Sequence, residues 1–125
     1  MSFSTLILVG LGGAVGALAR HKASTFLKPK CQGPFPWPTL AINLTSCTIA
    51  GCALAGAGAL GSLAFTVLTM GFLGGFSTLS TMNCEAVDRF AQGDAGIGIA
   101  YLLATYAGTL GAAAVGFAVT SALLG

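Results

Sequence analysis

Charged residues are scarce in this sequence. Five Lys or Arg and three Asp or Glu occur among 125 residues, which is a charged share of 6%. A soluble domain carries about 25% charge, so this chain lacks the side chains that a water-facing surface requires. Hydrophobic residues account for 55% of the sequence. The composition therefore excludes an ordinary soluble domain and indicates a membrane protein.

Groups that support catalysis are also missing. His21 is the single histidine, no nucleophile stands with a base, and there is no carboxylate pair. The cysteines have no metal-ligand spacing and are interpreted as small packing residues; they are Cys31, Cys47, Cys52 and Cys84. We therefore predict that the protein is not an enzyme, and we expect no nucleic-acid partner.

Apolar runs divide the chain into four segments that can cross a bilayer, which takes about 20 residues each. We predict an all-α membrane protein with a single integral domain over residues 1–125, a multi-pass protein of the inner (plasma) membrane in contact with the lipid bilayer. In the first helix, Gly12 and Gly16 predict a close contact with another helix. The predicted helices cover residues 3–27, 38–60, 62–91 with a break near 74–81, and 95–124.

The segment GFLGGFSTLSTMNCE, residues 71–85, is unusually polar for such surroundings. Its glycines weaken a helix, and its Ser-Thr pairs can satisfy the backbone groups that a break sets free. Broken helices at membrane depth are tolerated where they are buried in protein or line a cavity, and they typically build ion or substrate sites. We therefore predict a broken third helix that resumes near Met82, and we interpret the break as part of an ion site.

Polar residues elsewhere have roles that the sequence leaves open. Asn43 in the second helix requires a partner in hydrocarbon, either at a helix contact or along a polar path. Arg20 is compatible with snorkelling to the interface, and Glu85 is either a vestibule residue or part of a solvated helix end. Tyr101 in the fourth helix fits an aromatic belt at the membrane surface.

The available polar groups suit a small ion. Hydroxyl and amide hydrogens are donors, which suit an anion, whereas exposed carbonyl oxygens suit a hard cation. Proton-coupled transport usually needs a carboxylate inside the membrane, and the first two helices have none. The residues therefore favour passive conduction over active transport.

Three motifs, in order along the chain, resemble those of the CrcB/Fluc family of fluoride channels. GGAVGALAR at 12–20 is similar to the family's G-G-x-x-G-x-x-x-R, and TLAIN at 39–43 to its T-L-x-x-N. GFLGGFSTLSTMNCE at 71–85 resembles G-x-x-G-G-x-[ST]-T-F-S-T-F-x-x-E. With four spans and a matching length, the resemblance covers the whole chain.

The resemblance implies passive fluoride export by an antiparallel dimer with two fluoride pores along the dimer seam. It also implies a central structural sodium ion, held by the backbone carbonyls of Gly74 and Ser77 from two crossed breaks. The remaining site residues that it carries over are the pore amide Asn43, the track hydroxyls Ser80 and Thr81, the polar Thr109, the structural cation Arg20 and the acidic Glu85.

Several positions depart from the family pattern. The two phenylalanines whose ring edges face the anion correspond to Leu79 and Met82, and neither side chain offers the partial positive charge of an aromatic edge. Cys47 stands where the family usually has Gly, and Ala113 occupies a position that is often hydroxylated. We predict an intact sodium site, a degraded pore lining and poor fluoride conduction by a dimer of this chain alone.

Two other functions are alternatives. A small multidrug-resistance-type transporter also has four short helices, but that class needs a carboxylate in its first helix, and residues 3–18 contain none. A non-conducting structural partner subunit of a fluoride channel is compatible with the missing phenylalanine pair.

The basic residues predict an orientation. All five lie on the side of the membrane that holds the connections after the first and third helices: Arg20, Lys22, Lys28, Lys30 and Arg89. Short basic loops stay in the cytoplasm, and acidic residues contribute little. A chain that inserts both ways should show little bias, so the antiparallel partner is either a second copy or a homologous subunit of opposite orientation.

Overall fold

A computed structural model describes the chain except for Met1, Cys31, Gln32, Pro34 and Thr78 and the side chains of Leu79 and Ser80. Every regular element in the described part is helical. In chain order the elements are α1 (Phe3–Leu27), α2 (Trp37–Ala55), α3 (Ala57–Leu60), α4 (Ser62–Thr66), a π-helical segment (Val67–Leu73), α5 (Gly74–Phe76), α6 (Leu79–Ala91) and α7 (Ala95–Leu124).

Four helical stretches are long and apolar enough to cross a membrane, which confirms the all-α prediction of four spans in a multi-pass membrane protein. They are Phe3–Leu27, Trp37–Ala55, Ser62–Ala91 and Ala95–Leu124. The second span is shorter than predicted, because α2 ends at Ala55 and the chain turns at Gly56 before the short α3.

The third span is broken, as the sequence predicts. Its α-helix gives way to the π-helical segment, and the backbone becomes extended at Ser77, with φ −75° and ψ 157°. The Ser77 hydroxyl donates to the Leu73 carbonyl at 2.8 Å, which satisfies a backbone group at the break. Helix resumes at Leu79 rather than near Met82, because hydroxyl residues are well tolerated in the first turn of a helix.

The backbones of α1 and the third span cross in direct contact. A Cβ atom added at Gly16 would collide with the carbonyl of Phe72, and one at Gly75 would collide with the carbonyl of Gly13. At Gly12 the added atom would lie 3.3 Å from the Phe72 nitrogen. The predicted small-residue contact of α1 is therefore confirmed, and it holds the broken span against α1.

Helices α2 and α7 pack along their length and run parallel. Leu40 and Tyr101 meet in one apolar cluster, and further along both helices the Cys52 thiol donates to the Gly116 carbonyl at 3.5 Å. Because later residues of α2 meet later residues of α7, the two helices are aligned in parallel. Polar residues of α2 therefore lie at the same depth as residues of α7 about 62 positions later, and the candidate site lies between the two helices.

Candidate functional site

Three hydroxyl side chains, those of Tyr101, Thr105 and Thr109, lie four residues apart on α7 and so share one face of the helix. Tyr101 and Thr105 are 0% and 3% exposed, and Thr109 is half-buried. The Thr109 hydroxyl donates to the Thr105 carbonyl at 2.6 Å. We call these three side chains the α7 hydroxyl file.

Helix α2 brings further polar groups to the same level. Its buried polar residues are Thr39, Asn43 and Ser46. The side chains of Cys47 and Thr109 lie close together between the two helices, in keeping with the parallel register that the Cys52–Gly116 contact shows. One turn earlier on each helix, the same register places Asn43 level with Thr105. An amide and a hydroxyl thus share one level of the helix pair.

Thr105 is the residue of the file whose hydroxyl is unsatisfied. Among the described residues, its Oγ1 is the buried side-chain oxygen or nitrogen that has no hydrogen-bond partner. By contrast, the hydroxyls of Thr45 and Thr48 donate to backbone carbonyls four residues earlier. Leaving a buried hydroxyl unpaired costs about 1–3 kcal/mol. A partner from outside the chain, such as an anion that accepts the proton, would remove that cost.

A carboxylate stands at one end of the file. The Thr39 hydroxyl donates to Glu85 Oε1 at 2.6 Å, and the Tyr101 hydroxyl lies 3.5 Å from the same oxygen. Glu85 itself is half-buried. These contacts hold the carboxylate between α2 and α7, at the mouth of the hydroxyl file.

Two cavities open beside Thr39. One has a volume of about 300 Å³, and its walls carry two basic and two acidic residues, Lys28, Arg89, Glu85 and Asp88. The other has a volume of about 280 Å³, and its charged wall residues are Arg20 and Lys28. Because a cavity lined by one sign of charge concentrates counter-ions, the second cavity favours anions next to the mouth of the file.

Leu79 and Met82 are the positions that correspond to the phenylalanines of the resembling family, and the structure describes the side chain of Met82 only. Met82 is fully enclosed in the chain's own core, where it packs with Leu40, Ala86 and Tyr101. Met82 therefore belongs to the same apolar cluster as Tyr101, the first residue of the file. The side chains of Leu79 and Ser80 lie outside the described part, and Thr81 is exposed beside the second cavity.

The prediction that Tyr101 belongs to an aromatic belt is wrong. Tyr101 is 0% exposed, because its ring packs edge-on against Phe35 with the centroids 5.5 Å apart. No site role was predicted for Thr39 or Thr105 from the sequence. The regular spacing of Tyr101, Thr105 and Thr109 on an otherwise Gly- and Ala-rich helix is the signal that could have identified the file.

The break in the third span has the chemistry that a hard cation prefers. The extended backbone at Ser77 turns its carbonyl away from the helix direction, and Gly74 is exposed on the segment before it. Carbonyl oxygens are suitable ligands for hard cations. Gly74 and Ser77 therefore fit a role as sodium ligands, although two oxygens from one chain make only part of a coordination shell.

Four membrane-crossing helices, a broken third span and an enclosed file of hydroxyls define the class: a small multi-pass membrane protein with a polar lining inside its helix bundle. The family described as "CrcB-like protein, Camphor Resistance (CrcB)" matches residues 7–117. This chain belongs to the CrcB family.

Named relatives match over nearly their full length. The chain is 36% identical over 121 residues to the fluoride-specific ion channel FluC of Rhizobium leguminosarum bv. trifolii, covering 94% of this chain and 96% of that protein. It is 37% identical over 117 residues to the fluoride-specific ion channel FluC 2 of Rhodococcus jostii, covering 94% and 99%. It is 32% identical over 127 residues to FluC of Thermus thermophilus, covering 100% of both.

Proposed function

We propose that this chain is a subunit of a fluoride-specific channel that lets fluoride leave the cell passively across the plasma membrane. The named relatives support the choice of ion. The observation that carries the proposal is the buried, unpartnered hydroxyl of Thr105 within the α7 hydroxyl file. Because a hydroxyl without an internal acceptor can donate to an anion, the file suits a small, strongly hydrogen-bonding anion such as fluoride.

The proposed path starts at the cavity whose charged wall residues are Arg20 and Lys28. These two side chains raise the local anion concentration there. The Thr39 hydroxyl is already engaged by Glu85, so the mouth offers fewer unused donors than the interior. The ion then passes to the Thr105 hydroxyl, the residue of the file whose donor is unused, and to the Asn43 amide, with Ser80 and Thr81 as further donors. No catalytic step is involved.

We further propose that two copies of the fold pair in antiparallel orientation, with their third-span breaks crossed. The carbonyls of Gly74 and Ser77 from both chains would then surround one sodium ion. An added Cβ at Gly74 has no neighbour nearer than 3.9 Å within the chain, so that backbone is open to a partner. Replacing sodium by N-methylglucamine during purification should weaken the dimer, and a dimer indifferent to sodium would contradict this site.

A non-conducting partner subunit is the second candidate, and it is supported by the aliphatic residues at positions 79 and 82. Both candidates are compatible with the hydroxyl file, but they differ in the activity of the chain alone. The multidrug-transporter alternative lacks support, because α1 contains no Asp or Glu.

Fluoride efflux from liposomes tests the proposal. The purified chain is reconstituted, and fluoride and chloride efflux are recorded for the wild type and for L79F/M82F, with L103F as a control that adds an aromatic ring on the exposed face of α7. We expect slow, fluoride-selective efflux from the wild type and faster efflux from L79F/M82F. Equal fluoride and chloride rates in both proteins would contradict a fluoride channel.

If the wild type shows no fluoride efflux and L79F/M82F does, the result would favour the second candidate, a non-conducting partner subunit. Because Met82 is fully enclosed, a larger ring at that position must displace neighbours, at a cost of about 1–3 kcal/mol. L79F alone is therefore measured beside the double variant. Thermal stability of each protein separates poor folding from poor conduction.

A further inference from the structure

Five polar side chains share one face of α1 over its last turns. Their successive spacing of one or three residues places them side by side on the helix surface. All five line the second of the two cavities described above, which has a volume of about 280 Å³: Arg20, His21, Ser24, Thr25 and Lys28. We call this cavity the α1 cavity.

The α1 cavity offers hydrogen-bond donors and positive charge. None of the described residues that line it is Asp or Glu, whereas the neighbouring cavity contains both Glu85 and Asp88. Arg20 and Lys28 each bring a full positive charge, and the hydroxyls of the α1 face add further donors. The wall is therefore suited to an anion that has several acceptor atoms.

The two positive charges of the α1 cavity have no ion pair with a carboxylate in the described part of the chain. The salt bridge of that part joins Arg89 to Asp94 at 3.5 Å, and the Lys30 ammonium lies over the Phe26 ring at 3.6 Å. Arg20 is half-buried, and burying a charge without a partner is costly. An anion bound in the cavity would offset that cost.

A phosphate group suits this wall better than a single halide ion does. It carries several acceptor oxygens around one centre, so it accepts from several donors at once. Arg binds phosphate through two parallel hydrogen bonds, and Lys binds it as a point charge. A phosphate group can therefore use the donors of the α1 cavity together, whereas one halide ion would leave most of them unpaired.

The α1 cavity also lies at the depth of lipid headgroups. The 25 residues of α1 extend over about 37 Å, which exceeds the roughly 30 Å of the hydrocarbon core. The last turns of α1 therefore reach the polar region of the bilayer. Trp37, which is exposed at the start of α2, is typical of the same level.

We propose that the α1 cavity binds a phosphate group, and that its depth makes the headgroup of an anionic phospholipid the source. Arg20 and Lys28 pair with the phosphate oxygens, and the Ser24 and Thr25 hydroxyls donate to them. Free inorganic phosphate has the same chemistry, so the experiment separates the two sources. Phosphate binding goes beyond the proposed fluoride channel and does not depend on it.

Native mass spectrometry of the purified protein tests the lipid. Phosphatidylglycerol or phosphatidylcholine is added to the protein in detergent, and the lipid that stays bound is counted. Both lipids carry a phosphate, but the choline group cancels its charge. We expect phosphatidylglycerol to be retained at least about tenfold more than phosphatidylcholine. Equal retention of the two lipids would overturn the proposal.

Matched variants separate a built site from general attraction to positive charge. K28Q should lower the retention of phosphatidylglycerol about tenfold, and K28R should restore most of it. K22Q removes the same charge from an exposed position that does not line the cavity, and it should change retention by less than about twofold. S24A/T25V keeps every charge and should still lower retention severalfold. Equal losses in K28Q and K22Q would overturn the site.

Thermal unfolding in lipid-free detergent distinguishes the source of the phosphate. Phosphatidylglycerol or inorganic phosphate is added, with chloride at equal ionic strength as the control. We expect phosphatidylglycerol to raise the unfolding temperature more than inorganic phosphate does, and K28Q to lose this gain. Stabilisation by inorganic phosphate alone would overturn the lipid as the source, and stabilisation by neither would overturn the site.

A bound phosphate would also lie at the start of the proposed fluoride path, because Thr39 at the mouth of the file lines the α1 cavity. This consequence rests on the proposed function. Fluoride efflux from L79F/M82F should be at least about twofold slower in phosphatidylglycerol liposomes than in phosphatidylcholine liposomes. S24A/T25V in that background should remove most of the difference, which a general surface-charge effect would not allow. Lipid retention without any fluoride efflux would contradict the channel and leave the phosphate site standing, whereas efflux without selective retention would do the reverse.

Discussion

Replacing Thr105 by valine should slow fluoride conduction and stabilise the fold at the same time. Valine has nearly the shape of threonine, so the packing between α2 and α7 is kept while the hydroxyl is lost. That hydroxyl has no partner among the residues that the structure describes, and Thr105 is 3% exposed. Most point mutations lower stability, so a gain in stability that accompanies a loss of conduction is the signature of a strained functional site.

The expected size of each effect follows from the contact that is removed. A hydrogen bond to a charged group contributes about 1.5–3 kcal/mol, and each 1.4 kcal/mol is about tenfold. Loss of the Thr105 donor should therefore lower the fluoride efflux rate about 10- to 100-fold. Removal of the unsatisfied hydroxyl should raise the free energy of unfolding by up to about 1–3 kcal/mol.

The assay is fluoride efflux from liposomes, measured in the more active L79F/M82F background and paired with unfolding of the same samples. Thr45→Val is the matched control, because Thr45 is exposed and its hydroxyl donates to its own helix. Thr45→Val should leave the efflux rate unchanged and shift the free energy of unfolding by no more than about 0.5 kcal/mol. Thr105→Ser keeps a donor and should restore most of the efflux.

Two results would refute this reasoning. Efflux from T105V equal to that of the parent would show that fluoride does not use the Thr105 donor. A loss of stability that matches the loss of efflux would show that the hydroxyl has an internal partner and a structural role.

Two further predictions concern the mouth of the file and the crossing of the third span. Removing the Thr39 donor should weaken the fold less when Glu85 is already alanine and the acceptor is gone, with a coupling of about 1 kcal/mol in the T39V/E85A double-mutant cycle. Additive single effects in unfolding measurements would show that the 2.6 Å contact is unimportant. Gly75→Ala should cost about 1–3 kcal/mol, because the added Cβ would collide with a backbone carbonyl of α1. Gly10→Ala is the control, because Gly10 lies in α1 and a Cβ added there meets no atom within 4 Å; this variant should be neutral or slightly stabilising. Equal stability of the two alanine variants would contradict the close crossing.

The spans and the break could be predicted from the sequence because they depend on local composition. The first and fourth helices, Phe3–Leu27 and Ala95–Leu124, match the predicted ranges 3–27 and 95–124, since each is one long apolar run between polar connections. The break at Ser77 follows from glycines and hydroxyl residues that are adjacent in sequence. Such signals need no knowledge of which helices are neighbours.

The candidate site could not be predicted to the same extent, because it depends on which helix faces meet. Helix α7 is apolar on nearly every side, so its three evenly spaced hydroxyls are a weak signal for the direction of Tyr101. The ring of Tyr101 was therefore predicted at the membrane surface instead of in the core. The contact of Thr39 with Glu85 joins residues 46 positions apart. Only the packing of α2 against α6 and α7 brings these two side chains together.

The most direct test of the central claim is a distance between fluoride and Thr105. The wild-type protein, labelled with ¹³C-threonine and reconstituted in lipid with fluoride, is measured by ¹⁹F–¹³C dipolar recoupling, and T105V identifies the Thr105 resonance by its loss. A hydroxyl–fluoride hydrogen bond of about 3 Å should dephase the Thr105 Cβ signal strongly, while the exposed Thr45 stays unaffected. Fluoride that dephases no threonine of the α7 hydroxyl file would contradict the account.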